Sequence, residues 1–249
     1  MSLKDKVIII MGASSGMGAA TANLLAQSGA KLSIAARRLD KLEVIKKQNP
    51  AADILTFKAD VTKINEVQAV VDQTVKTYGH VDVMWNNAGI MPVNELRKGA
   101  RNEWDNLINI NIHGVLNGIN AVLPTMIQQG FGHIISTDSV AGFVTHAKFA
   151  VYAGTKAAVR SIMEGLRQEE GKKGKNGIKS TTIYPGQVAT ELATSINNDK
   201  LRQKISNDIK EPSMSVLQPD EIAKTVAFVI DTPKNMSINE LVIRPTAEL

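Results

Sequence analysis

Tyr152 and Lys156 stand four residues apart in "YAGTK", so on a helix they share one face. A lysine cation beside a phenol favours the phenolate and lowers a pKa that is ordinarily near 10. Such a tyrosine can exchange a proton with a substrate oxygen near neutral pH. The spacing alone is not specific, because a lysine-rich chain with three tyrosines can present it by chance. Ser139 adds to it. It follows an apolar run thirteen residues before Tyr152, where its hydroxyl could hold a carbonyl oxygen beside the phenol. A serine that only forms a turn would look the same.

A second group of residues points to an anion. The stretch "IIIMGASSGMGAATANLLA" reads as strand, glycine-rich turn and helix, with glycines at Gly12, Gly16 and Gly18. Glycine lets the backbone turn sharply and approach a pyrophosphate, while the helix start offers free N–H groups. A turn with small residues kept for packing is the alternative. In dinucleotide sites an acid about 20 residues past the loop binds the ribose 2′-hydroxyl. Here Ala36 occupies that place and Arg37 and Arg38 follow. Cations at a helix start oppose its dipole, at a cost of about 0.3–1 kcal/mol each. Two guanidiniums can instead fork onto a phosphate. A missing acid with added cations predicts a cofactor with a 2′-phosphate, NADP(H) rather than NAD.

The elements that must hold these residues alternate. Strands are predicted over 6–11, 31–36, 53–58, 82–85, 133–137, 179–184 and 240–244. Helices are predicted over 16–28, 40–47, 64–78, 101–129, 150–170 and 219–231. Runs such as "VIII" and "HIIS" are apolar on both faces, as strands of a helix-covered parallel sheet are. The pattern predicts an α/β, single-domain, doubly wound Rossmann fold, a parallel seven-stranded sheet flanked by helices on both faces. No linker divides the chain, so residues 1–249 read as one dinucleotide-binding catalytic domain. The polar stretch 190–216 is expected to be a substrate lid.

Composition narrows the function. The chain has 249 residues and no cysteine, which excludes disulfides and thiolate chemistry. Its four histidines form no H-x-x-x-H pair, so no metal site is expected. The start carries no signal peptide and no stretch reaches a membrane span, which reads as a cytoplasmic protein with no membrane partner. The net charge is +5, yet the densest basic stretch, "GKKGKNGIK", carries no aromatic residue for stacking, so no nucleic-acid partner is expected.

Taken in order, "GASSGMG" at 12–18, "DV" at 60–61, "NNAG" at 86–89, "NINIHG" at 109–114, Ser139, "YAGTK" at 152–156 and "PGQVAT" at 185–190 resemble the short-chain dehydrogenase/reductase superfamily, over nearly the whole chain. The resemblance implies that Tyr152 is the general acid/base, that Lys156 binds the nicotinamide ribose, that Ser139 polarises the carbonyl, and that Asn111 holds a proton-relaying water. It also implies a cofactor cleft lined by Gly12, Ser14, Ser15, Gly16, Met17, Gly18, Arg37, Arg38, Asp60, Val61, Asn87, Ala88, Gly89, Val188 and Thr190, with Tyr152 and Lys156 at its end. Three positions depart from the pattern. Met11 replaces the usual threonine before the first glycine. Asp138 precedes Ser139, where a small residue is commoner; strand alternation would turn it away from the serine's face, where its charge is exposed, bonded to backbone or able to tune the site. The tail "INELVIRPTAEL" lacks the "DGG" ending of fatty-acid carrier-protein reductases and is closer to the carbonyl reductase and 3-hydroxy-acid dehydrogenase branch.

The implied reaction is reversible hydride transfer between NADP(H) and a carbonyl or secondary alcohol. An NADP-dependent 3-hydroxy-acid dehydrogenase and a non-catalytic NADP-binding sensor are the alternatives. Ser139, Phe143, Val144, Tyr152 and Gln187 are the expected substrate contacts, with Met91, Pro92 and His146 nearby; Lys148 or Arg202 could meet a carboxylate. The family resemblance also implies a homo-oligomer, commonly a tetramer, paired through the helices at 101–129 and 150–170.

Overall fold

A computed structural model describes residues 3–172, 177–196, 202–203 and 216–247. Seven strands form one sheet: β1 Val7–Met11, β2 Lys31–Ala36, β3 Ile54–Lys58, β4 Val83–Asn86, β5 Phe131–Thr137, β6 Gly177–Pro185 and β7 Glu240–Ile243. Their spatial order is β3-β2-β1-β4-β5-β6-β7, and every neighbouring pair is parallel. The chain builds outward from β1 to β3, then returns and builds from β4 to β7. The order therefore reverses between β1 and β4, and a crevice opens beyond their carboxyl ends.

The helices are α1 Gly16–Gln27, α2 Leu39–Gln48, α3 Ile64–Tyr78, α4 Arg101–Leu107, α5 Gly114–Gln129, α6 Ala150–Lys172 and α7 Pro219–Ile230. They cover both faces. Ile8 and Ile10 of β1 pack with residues of α1, α2 and α7, while Ile9 and Met11 pack with α3, α5 and α6. Period-two alternation with both faces apolar is what two helical layers require. This is an α/β, Rossmann-like doubly wound fold.

Two boundaries differ from the sequence reading in an informative way. The helix expected over 101–129 is broken by a π-type turn, Ile108–His113, between α4 and α5. Apolar periodicity does not register one extra residue per turn, and such bulges cluster at functional sites. Here the bulge carries Asn111. The fourth strand starts after Asp82, whose carboxylate accepts from the Val7 N–H at 2.8 Å and pairs with His80 at 2.9 Å. Most of the expected lid, 197–201 and 204–215, lies outside the described residues; its base is closed by a bridge between Val188 and Leu217.

His133 of β5 is buried against Thr181 Oγ1 at 2.7 Å, and burial pushes its pKa down to about 3. It stays neutral in the fold while the unfolded chain protonates near 6.5, so the unfolded state binds the extra proton. Stability is therefore lost as pH falls from about 6.5 towards 3, by up to about 1.4 kcal/mol per pH unit. Urea unfolding measured from pH 7 to pH 4 should show this slope, and His133→Gln should flatten it. An unchanged slope in the variant would acquit His133.

Candidate active site

β1 delivers the glycine loop to the crevice. Gly12 sits at a φ of +88°, and a Cβ there would lie 2.7 Å from Ala88 backbone atoms. A Cβ on Gly18 would run into the Gly12 carbonyl oxygen. The loop is tied down by the Gly12 and Ala13 N–H groups, which donate to Ala35 O at 2.8 and 3.2 Å, and by Asn87 Nδ2, which donates to Gly12 O at 3.0 Å. Met11, in place of the usual threonine, is buried in the α3, α5 and α6 layer, and Asn87 supplies the bracing. The start of α1 has no acid in its first turn and no side-chain cap. Its orphan N–H groups are therefore suited to an anion.

A cleft of about 470 Å³ opens there. Of the expected cofactor residues, Gly12, Ser14, Ser15, Gly16, Met17, Arg37, Arg38, Asp60, Val61, Asn87, Ala88, Gly89 and Thr190 line it, with Ala36 at the end of β2. A smaller cavity of about 80 Å³ holds Ser139, Tyr152, Lys156 and Val188 and shares Met17, Asn87, Gly89 and Thr190 with the first. The two thus form one groove, from the arginines past the loop to the tyrosine. A groove floored by the bare backbone of Gly12 and Gly16, with free helix donors midway, fits a dinucleotide.

At the arginine end, Arg38 reaches back over the loop. Its Nη2 donates to Ser15 Oγ at 2.8 Å and Ser14 Oγ at 3.0 Å, and its Nη1 pairs with Glu191 at 2.9 Å. That hydrogen bond holds the Glu191 carboxyl below its ordinary pKa. Burial pushes Asp60 up, but the Thr62 N–H and hydroxyl and the Arg37 charge outweigh it, leaving a lowered pKa. Glu191 is a contact that the sequence reading missed; its proximity to Arg38, 153 residues away, has no local signal.

At the other end, Tyr152 is 5% exposed, and Lys156 and Asn111 are likewise buried. Burial pushes the phenol up to about 12; the Ser139 hydroxyl, hydrogen-bonded to it, pulls it down and the Asp138 charge pushes it up. The lowering expected from helical spacing is therefore overridden. The Lys156 ammonium lies 5.8 Å from the ring centroid and donates to Thr137 O at 2.8 Å. Burial also lowers the Lys156 pKa, against Asp138, which raises it.

Asn111 lines neither cavity. Its Oδ1 accepts from the Ile90 N–H at 3.0 Å, and its Nδ2 donates to Ile90 O at 3.0 Å and Thr155 Oγ1 at 3.1 Å. Gly89 separates it from Lys156: a Cβ there would stand 3.4 Å from Asn111 Oδ1 and 3.9 Å from Lys156 Nζ. Gly18 also lies behind the groove, against the loop.

Several expected substrate contacts stand apart. Phe143 and Val144 are exposed, and with Gln187 they line neither cavity. The short turn Val140–Gly142 carries Phe143 onto Tyr184, at 4.5 Å between ring centroids, and beneath Arg160. Met91, Pro92, His146, Lys148 and Arg202 line neither cavity. Ile90, Leu192 and Ser195, not singled out from the sequence, do line the cleft. Among the described residues no group of three or more His, Cys, Asp or Glu could hold a metal, and no helix is long and apolar enough to cross a membrane.

Comparison with known proteins agrees with this fold. The profile of the short chain dehydrogenase family matches residues 6–201. An uncharacterized oxidoreductase of Staphylococcus saprophyticus is 47% identical over 247 residues, covering 99% of this chain and 98% of that protein. An alcohol dehydrogenase from the archaeon Thermococcus sibiricus, solved with 5-hydroxy-NADP, superposes with a TM-score of 0.86 at 27% identity over 99% of both chains. Levodione reductase superposes at 0.85, with 31% identity over 97% of both chains. The groove, its glycine loop and the Ser139–Tyr152–Lys156 cluster sit on a chain that belongs to the short-chain dehydrogenase family, a nicotinamide-dependent oxidoreductase.

Proposed function

We propose that the protein is an NADP(H)-dependent oxidoreductase acting reversibly on a ketone or aldehyde and the corresponding alcohol. The observation that carries this reading is the end of β2, where Ala36 replaces an acid and Arg37 and Arg38 face the cleft beside Ser14. Asp60, Val61, Asn87, Ala88 and Gly89 would line the path of the dinucleotide, and the start of α1 would take its pyrophosphate. Lys156 would hold the nicotinamide ribose. The bound nicotinamide supplies hydride to the carbonyl carbon, or takes it from the carbinol. Ser139 donates to the substrate oxygen and orients it. Tyr152 gives that oxygen its proton in reduction and removes it in oxidation, with the buried site keeping bulk water out.

Titration with NADPH and NADH at fixed salt, followed by nicotinamide fluorescence, tests the cofactor. A forked arginine–phosphate contact should favour NADPH by about 1.5–3 kcal/mol, tenfold or more. Arg38→Ala should remove most of that preference and leave NADH binding nearly unchanged. Equal binding of both by the wild type would sink the phosphate role. A substrate panel of cyclohexanone, diacetyl, benzaldehyde, ethyl acetoacetate, acetoacetate and serine, with each cofactor, tests the reaction. Turnover confined to acetoacetate would favour the 3-hydroxy-acid reading, and turnover of none would favour a cofactor-binding sensor.

The same reading includes cytoplasmic residence and a homo-oligomer, a tetramer. Exposed Ile108, Leu116 and Ile127 along the α4–α5 segment support association of copies. Light scattering should return a multiple of the 26.9 kDa chain; a monomer mass would refute it.

A further inference from the structure

Asp138 is a carboxylate where the end of a central strand meets the reacting groups. It is 3% exposed. Its own N–H donates to Ile183 O at 2.8 Å, fixing it in the sheet, and its Oδ1 accepts from the Ser139 N–H at 2.8 Å. Its Oδ2 is buried with no hydrogen-bond partner. The turn Val140–Gly142 closes down on the carboxyl so tightly that a Cβ on Gly142 would stand 3.1 Å from Oδ1. The residue before it, Thr137, holds the Lys156 ammonium through its carbonyl at 2.8 Å.

The charged and titratable groups around Asp138 are few. Lys156, Tyr152 and Arg160 approach from α6, Tyr184 from β6 and Glu240 from β7. Arg160 is already paired with Glu240 at 3.3 Å and lies over the Phe143 ring, and the Tyr184 hydroxyl donates to Glu240 at 2.7 Å. Arg160 is therefore directed to Glu240, and the Asp138 charge acts chiefly on the Lys156–Tyr152 pair.

We propose that Asp138 is a positioning residue that orients Ser139 through its backbone N–H and whose negative charge sets the pH at which Tyr152 changes from proton donor to proton acceptor. This rests on the oxidoreductase reading above. A negative charge in this position favours the Lys156 ammonium and disfavours the Tyr152 phenolate, and both effects are seen in the two groups. Burial also pushes Asp138 itself up to about 7, so its charge appears near neutral pH.

Asp138→Asn keeps an acceptor for the Ser139 N–H and removes only the charge. With whichever panel carbonyl turns over fastest, the falling limb of reduction and the rising limb of alcohol oxidation should both move about one pH unit lower in Asp138→Asn, a tenfold rate change at a fixed pH on either limb. A uniform loss at every pH with the limbs unmoved would make Asp138 purely structural and overturn the proposal. Should the variant fail to fold, carboxyl-carbon NMR of the ligand-free wild type decides. A midpoint that rises in Lys156→Met supports the proposal, and a midpoint that Lys156→Met leaves unmoved overturns it. If no carbonyl turns over, the oxidoreductase reading fails while the NMR titration still rules on Asp138.

Discussion

Tyr152→Phe should bind the cofactor within about twofold of wild type and lose turnover by a factor of about 10²–10⁴, the usual contribution of a positioned acid/base. The reasoning is geometric. The ring is buried, so phenylalanine fills the same space and packing is kept. The lost hydroxyl is the group that faces Ser139, and Ser139 retains the Ala141 N–H at 3.1 Å as a local partner. Lys156 keeps its bond to Thr137 O, so the ribose end of the groove is undisturbed. Cofactor affinity from fluorescence titration and single-turnover rates with the best panel substrate separate the two effects. A variant with most of its activity would remove Tyr152 as the proton carrier. A variant that also loses the cofactor would mean that the phenol supports the groove rather than the chemistry.

The order of elements was legible because each depends on a local period. The strands at 31–36 and the helix at 64–78 match β2 and α3 at both ends, since apolar alternation and helical spacing are carried by the residues themselves. The glycine loop was legible for the same reason: a turn that brings a backbone within contact of Ala88 must lack a side chain at Gly12. What the sequence could not show is what depends on approach in space. The π-type turn at Asn111 changes the winding without changing the apolar stripe. Glu191 meets Arg38 only because the segment after β6 passes over the loop. Helical spacing put Lys156 near Tyr152, but the phenol's pKa depends on how dry the site is, and there burial raises it. Strand alternation turned Asp138 away from Ser139, yet its carboxyl bends back to the Ser139 N–H, a bond between sequence neighbours that no period encodes.

Gly18→Ala should weaken dinucleotide binding at least tenfold and lower stability by about 1–3 kcal/mol, the usual cost of forcing extra atoms into packed structure. Gly18 lies in the first turn of α1, and nothing in its backbone angles requires glycine. The constraint is contact. An added methyl would run into the Gly12 carbonyl oxygen, come within 2.8 Å of Asn87 Nδ2 and 3.0 Å of Ala13 Cα. Two of these three are backbone atoms, which cannot swing aside. Relief requires α1 to move off the loop, which breaks the 3.0 Å bond from Asn87 Nδ2 to Gly12 O that braces it. The helix N–H groups and the loop would then no longer address one pyrophosphate. Gly165→Ala is the matched control. It lies inside α6, where an added Cβ meets nothing within 4 Å, so the same substitution should stabilise by about 0.5–1 kcal/mol through lost backbone entropy. Opposite signs for one chemical change would locate the effect in the contact between helix and loop. Equal, mild effects at both positions would mean that α1 can slide away from the loop at little cost and that Gly18 is not what holds the groove's shape.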